Sequence, residues 1–144
     1  MKSATHTVTI ARPMADVFAF LADGTRNPDW RKGVLVISRA SGTGEVGTTY
    51  RQVLAGPGGR RIDGDYRITV TEPPRRLEFA VVAGPLRPTG SYVLHDVPGG
   101  TRVTFTLSAE PTGVMKLLGP MIGKQMRAEV AQLDTLKAVL QLTG

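Results

Sequence analysis

The 144-residue sequence contains no cysteine. That removes disulfide frameworks, thiolate metal sites and cysteine nucleophiles together. Histidine is nearly as scarce: His6 and His95 are the only two, and no His-x-x-x-His or comparable ligand spacing exists, so zinc and other metals are not expected. Long hydrophobic runs are missing as well, with none approaching the ~20 residues that cross a bilayer. The Thr-rich start, Met1 to Ile10, has no apolar segment ahead of a small-residue cleavage site. Nucleotide and acyl-transfer motifs are absent too. Gly56-Pro-Gly-Gly59 has neither the Gly-Lys-Ser/Thr ending nor a following helix, and no nucleophile-elbow pattern surrounds any serine. These absences point to a cofactor-free cytoplasmic domain occupying residues 1–144.

Acidic residues are outnumbered, 12 against 18 basic, for a net charge of +6. Nucleic acid is the first partner to consider for such a balance. The cations are nevertheless scattered, as in Arg31-Lys32, Arg60-Arg61 and Arg75-Arg76, with no long basic stripe. This argues against a nucleic-acid groove. Hydrophobic residues make up 41% of the chain, enough to form one real core.

Alternation and helical periodicity divide the chain into three parts. His6 to Ile10 alternates Thr with Val8 and Ile10, a strand pattern. Pro13 then opens a helix in which Met14, Val17, Phe18 and Leu21 recur at three-to-four spacing, and Asn27-Pro28-Asp29-Trp30 reads as a second short turn or cap. From Gly33 to Leu107 the text is mostly strand: 34–37, 48–54, 61–71, 77–82, 91–97 and 101–108, joined by short Gly- and Pro-bearing turns. Ile62, Gly64, Tyr66, Ile68 and Val70 share one face of the longest strand, and Val103, Phe105 and Leu107 share one face of the last. After Pro111, with Thr112 as N-cap, the period is helical to the end. Met115, Leu118, Ile122, Met126, Val130, Leu133, Leu136 and Leu140 form one apolar stripe, which Gly119-Pro120 interrupts with a kink or a short leading helix. The implied architecture is α+β. A curved antiparallel sheet of about seven strands is covered by a long C-terminal helix, and two short helices follow strand 1.

In this order the segments 8–21, Asn27–Trp30, Gly44–Tyr50, Glu72–Phe79 and Gly99–Phe105 resemble those of the SRPBCC superfamily. This group comprises START-like and polyketide cyclase/dehydrase proteins with the helix-grip fold. The resemblance covers nearly the whole chain and implies a cavity between the sheet and the last helix. Members bind lipids, polyketides, quinones or other apolar molecules there, and some cyclise or dehydrate polyketide chains. It implies a pocket without fixing a reaction.

The residues themselves supply few ionisable candidates for that pocket. Glu129 falls beside Ile122, Met126 and Leu133 on a helical wheel. It is either a ligand anchor or acid–base group, or a structural carboxylate paired with a nearby arginine. Trp30, Tyr50, Tyr66 and Tyr92, with Phe18 and Phe105, either line the cavity or fill the core beside it. Met115, Leu118, Ile122 and Met126 place the cavity mouth near Gly119-Pro120, because thioethers adapt to varied apolar shapes. The expected function is binding of a hydrophobic small molecule by a monomer or homodimer. A cyclase or dehydratase using Glu129 and a pocket tyrosine is the alternative. A protein or RNA interaction module with a collapsed pocket is the third.

Overall fold

The alternating segments need a partner for each polar backbone edge and a cover for each apolar face. In a computed structural model, which describes residues 1–142, they find both. The strands are β1 (Lys2–Ile10), β2 (Val34–Ser41), β3 (Thr49–Ala55), β4 (Arg61–Asp63), β5 (Tyr66–Glu72), β6 (Arg76–Val81), β7 (Thr89–Val97) and β8 (Gly100–Ala109). They form one antiparallel sheet in the order β1-β8-β7-β6-β5-β3-β2, with β4 paired to β3 beside this path. The chain therefore begins at one edge and crosses to the other through α1 (Met14–Ala22) and a 3-10 turn at Gly24–Asp29. It then meanders back until β8 meets β1. The sheet is curved and does not close. Bulges between Ile68 and Val70 and at two places along β2 interrupt the ladder, and such interruptions bend strands.

The longest strand expected from the sequence is two strands. Gly64 donates its N–H to the Gln52 carbonyl at 2.8 Å. The Asp65 carboxylate accepts the Gln52 N–H at 3.1 Å, in place of a backbone partner. A side chain takes over one rung, and β4 separates from β5 there.

After β8 the chain forms a 3-10 turn at Gly113–Leu118, α2 (Gly119–Val130) and α3 (Leu133–Leu142). Pro120 stands in the first turn of α2, where its missing N–H costs nothing. Gly119-Pro120 thus begins the main helix after a short leading turn, one of the two forms expected of it. Thr112 precedes that turn without a capping hydrogen bond from its side chain. The expected continuous stripe has a second break. Gln132 bonds back to the Glu129 carbonyl at 3.2 Å and Asp134 to the Ala131 carbonyl at 3.1 Å. These i-to-i−3 bonds tighten the turn between α2 and α3. No Gly or Pro marks it, so periodicity alone runs through.

One core lies between sheet and helices. Val103, Phe105 and Leu107 on β8 are buried beneath Ile122, Met126, Val130, Leu133, Leu136 and Leu140. The opposite face of the β1–β8 pair is hydroxyl-bearing: Thr5 meets Thr106 at 3.1 Å and Thr7 meets Thr104 at 3.2 Å. This is the one-face-wet arrangement that the alternation implies. His95 points outward as expected. His6 is half-buried and pairs with Asp134 of α3 at 3.0 Å.

Candidate functional site

The aromatic residues of the inner sheet face form a row. Tyr50 of β3 stacks on Tyr66 of β5 (4.9 Å between centroids), which packs on Phe79 of β6 (5.2 Å). Phe79 contacts Tyr92 of β7 (6.0 Å), and Tyr92 stacks on Phe105 of β8 (4.5 Å). Trp30 meets Tyr92 and Phe105 edge-on at 6.2 and 6.0 Å. Every ring in this row is at least nine-tenths buried. Phe18 of α1 is buried in the same core.

The polar tips of the row are tied down. The Tyr50 hydroxyl donates to the Ala22 carbonyl at 3.4 Å and accepts the Gly24 N–H at 3.3 Å. Asn27 donates to the Tyr66 hydroxyl at 3.1 Å and to Gln52 Oε1 at 3.3 Å. Gln52 in turn donates to the Gly64 carbonyl at 3.2 Å. A Cβ on Gly24 would lie 2.2 Å from the Tyr66 hydroxyl oxygen, so only glycine lets this turn approach the rings. The segment Asn27–Trp30 thus seats the tryptophan and closes this half of the sheet.

The other half is open. An inner cavity of about 150 Å³ lies between β3, β4, β6 and α2, with Leu54, Ile62, Val81, Leu86 and Met126 among its walls. It adjoins an outer cavity of about 420 Å³ lined by Met115, Leu118, Met121, Ile122 and Met126. Ile62, Pro85, Leu86, Gln125 and Met126 belong to both. Of the residues named from sequence, Met115, Leu118, Ile122, Met126 and Glu129 therefore line one or other of these adjoining cavities. Trp30, Tyr50, Tyr66, Tyr92, Phe18 and Phe105 lie outside these walls. Their rings pack against one another within the core, and the Tyr50 and Tyr66 hydroxyls are engaged by Ala22, Gly24 and Asn27 rather than aimed at open space.

Arg31 is the residue that the sequence reading misses. It follows Trp30 and is itself buried (6% exposed), reaching the inner cavity beside Gln52 and Glu129. Its Nη2 donates to Glu129 Oε2 at 3.0 Å, with both side chains largely shielded. Burial works against the Arg31 charge. The Glu129 carboxylate, with Tyr92 behind it, more than restores it, and the guanidinium is held above its ordinary range. Burial pushes the Tyr92 hydroxyl up to about 12 against the pull of the Arg31 cation. Burial likewise raises Tyr66. Arg31 Nε is buried without a hydrogen-bond partner, an exception where most buried donors are satisfied. The signal available in the sequence is the Trp30-Arg31 pair itself, since an arginine next to a buried indole has an apolar surface to lie on (5.9 Å to the ring centroid).

Glu129 is both paired with an arginine and on the wall of the inner cavity. Its carboxylate and Tyr92 both lean on one guanidinium. Among the described residues no group of three His, Cys, Asp or Glu side chains could hold a metal, and no helix is long and apolar enough to cross a membrane. The inner end of the cavity can supply hydrogen bonds from Arg31 and Gln52, and the rest of its wall supplies apolar contact.

A family model described as polyketide cyclase / dehydrase and lipid transport matches residues 1–141. Among solved structures, a protein from Thermus thermophilus is similar over 99% of both chains, with 22% identity and a TM-score of 0.82. A START superfamily protein from Mycobacterium smegmatis is similar over 100% of both chains, with 14% identity and a TM-score of 0.82. The di-domain ARO/CYC protein BexL from the BE-7585A biosynthetic pathway is similar over 92% of this chain and 45% of its own. Its identity is 17% and its TM-score 0.68. At these identities the structures share the helix-grip fold. No curated protein matches the sequence.

Proposed function

Because this chain belongs to the polyketide cyclase / dehydrase and lipid transport family, we propose that it binds an apolar small molecule of lipid, polyketide or quinone type between the sheet and α2. The observation that carries this reading is the pair of adjoining cavities, apolar along Ile62, Leu86, Met115 and Met126, with Arg31, Gln52 and Glu129 on the inner one. Sites that are mostly apolar with a few convergent polar groups are the usual form of small-molecule pockets. A ligand with one carbonyl or hydroxyl would present it to Arg31 and Gln52 and leave its apolar part toward Met115 and Leu118.

Binding is favoured over catalysis by the state of the ionisable groups. Glu129 is engaged by Arg31 at 3.0 Å, and the Tyr92 hydroxyl, held near 12, is a poor proton donor at neutral pH. The test is native mass spectrometry of protein purified from its own host, followed by displacement of an environment-sensitive apolar dye. A co-purifying apolar molecule that competes with the dye, and loss of both in Leu86→Trp at unchanged melting temperature, supports the reading. Dye binding that Leu86→Trp leaves intact overturns it. Turnover of a poly-β-ketone substrate that Glu129→Gln abolishes would establish the cyclase alternative instead.

A further inference from the structure

The turn that precedes α2 is built from residues that a water-facing turn does not need. Val114 is 78% exposed, Leu117 83%, Leu118 41% and Met121 54%. Single exposed aliphatics are ordinary; a cluster of them within two helical turns forms a patch that calls for a partner. The patch is continuous with the cavity, since Leu118 and Met121 also line its outer part.

Every charged residue between Pro111 and Gln125 is basic. Lys116 lies inside the turn, and Lys124 continues the exposed face of α2 one turn beyond Met121. The Lys2 Nζ comes within 3.6 Å of where a Cβ on Gly119 would sit, and Arg60 stands at the cavity mouth. The nearest preceding acid, Glu110, is held by the N-terminal ammonium at 3.4 Å. An apolar centre of aliphatic and thioether side chains within a cationic rim suits the headgroup boundary of a bilayer. The same rim would repel a second copy of itself.

We propose that residues 113–124 dock the protein onto anionic lipid surfaces. Val114, Leu117, Leu118 and Met121 enter the headgroup–acyl boundary, and Lys2, Arg60, Lys116 and Lys124 meet the phosphates. Docking in this orientation sets the cavity mouth against the bilayer. It requires no bound ligand, so it stands or falls separately from the binding reading.

The experiment is vesicle flotation of ligand-free protein with phosphatidylcholine alone and with phosphatidylcholine plus phosphatidylglycerol. The protein is expected to float with the anionic vesicles and to be released by added salt, because each basic side chain near a charged membrane acts within a Debye length. Leu117→Asp should weaken partition roughly tenfold while leaving the melting temperature and dye binding unchanged. Lys116→Glu should weaken it by a smaller factor. Failure to float with anionic vesicles, equal binding to neutral ones, or a Leu117→Asp protein that floats like the parent would each overturn the proposal. So would a dimer that Leu117→Asp splits, which would assign the patch to a second copy of the chain.

Discussion

Two halves of the same sheet face have opposite interiors. Over β7 and β8, and across to β3 beneath the Gly24–Asp29 turn, five rings and Trp30 stack into a filled row. Over β4 and the segment that carries Pro85 and Leu86, facing α2, the walls are mostly aliphatic and no side chain fills the space between them. Both halves have a helix above them, so the difference lies in what the side chains can reach. Large rigid rings span the gap between a curved sheet and its cover, whereas Leu, Ile and Met of the other half fall short. Arg31 and Glu129 stand at the boundary. The pair joins the turn behind Trp30 to α2, and one side of it forms the inner wall of the cavity.

The largest expected effect comes from truncating the same kind of contact in each half. Phe105→Ala, in a site with no exposure, should cost about 3–5 kcal/mol in denaturant unfolding, by lost burial plus a new void. Leu86→Ala, on the cavity wall and only partly buried, should cost about 1 kcal/mol or less, since fewer side-chain contacts are lost. Equal costs would erase the distinction between a filled and an open half.

Breaking the boundary pair comes next. Glu129→Ala strands a buried guanidinium and should destabilise by about 3 kcal/mol. The double variant Arg31→Met with Glu129→Leu should recover most of that loss, because two apolar side chains replace two desolvated charges. If the single variant unfolds no earlier than the parent, the pair is not the seam described.

A smaller perturbation tests how tightly the row is packed. Gly90 faces Phe79 across β6 and β7, and a Cβ there would lie 2.2 Å from the Phe79 ring. Gly90→Ala should cost about 1–3 kcal/mol by displacing that ring. Because Phe79 also borders the inner cavity, dye affinity should change along with stability. A change in stability alone would separate the row from the cavity.

The gentlest probe is alkaline pH. Tyr92 is held up to about 12, so between the ordinary tyrosine value and 12 the unfolded chain releases its proton first. Stability is then fully present below the ordinary value and falls by about 1.4 kcal/mol per pH unit through this window. Tyr92→Phe should flatten the slope measured by chemical unfolding, leaving the share due to Tyr66. An unaltered slope would mean that Tyr92 is not shielded.

Much of this division is legible in the sequence. Alternation in 66–68 and 103–107 assigns the inner face correctly, and the helical stripe from Met115 to Leu140 identifies the cover; the bulge after Ile68 turns Val70, expected on the inner face, to the side of Glu78. What escapes has physical causes. The β4–β5 break rests on Asp65 substituting for a backbone acceptor, which hydrophobic periodicity does not register. The α2–α3 break involves no Gly or Pro, and its apolar residues keep their spacing through it. The parity of the tyrosines turns them inward, but which part of the interior they occupy depends on the reach of the Gly24–Asp29 turn across the sheet. Arg31 is hidden because a single arginine in a short turn looks like any solvated cation until Glu129, 98 positions away, is folded against it.

The filled row also bears on how such a chain can change over generations. Stability concentrated in the rings, of which Phe79 alone borders the inner cavity, leaves the positions at Leu86, Met115 and Met121 under weak constraint, so substitutions there alter shape more than they alter folding. The rings, meanwhile, are interlocked from β3 to β8, and any one of them is hard to replace without its neighbours. Diversification of what the open half accepts can then proceed one residue at a time, on a framework that tolerates the experiment.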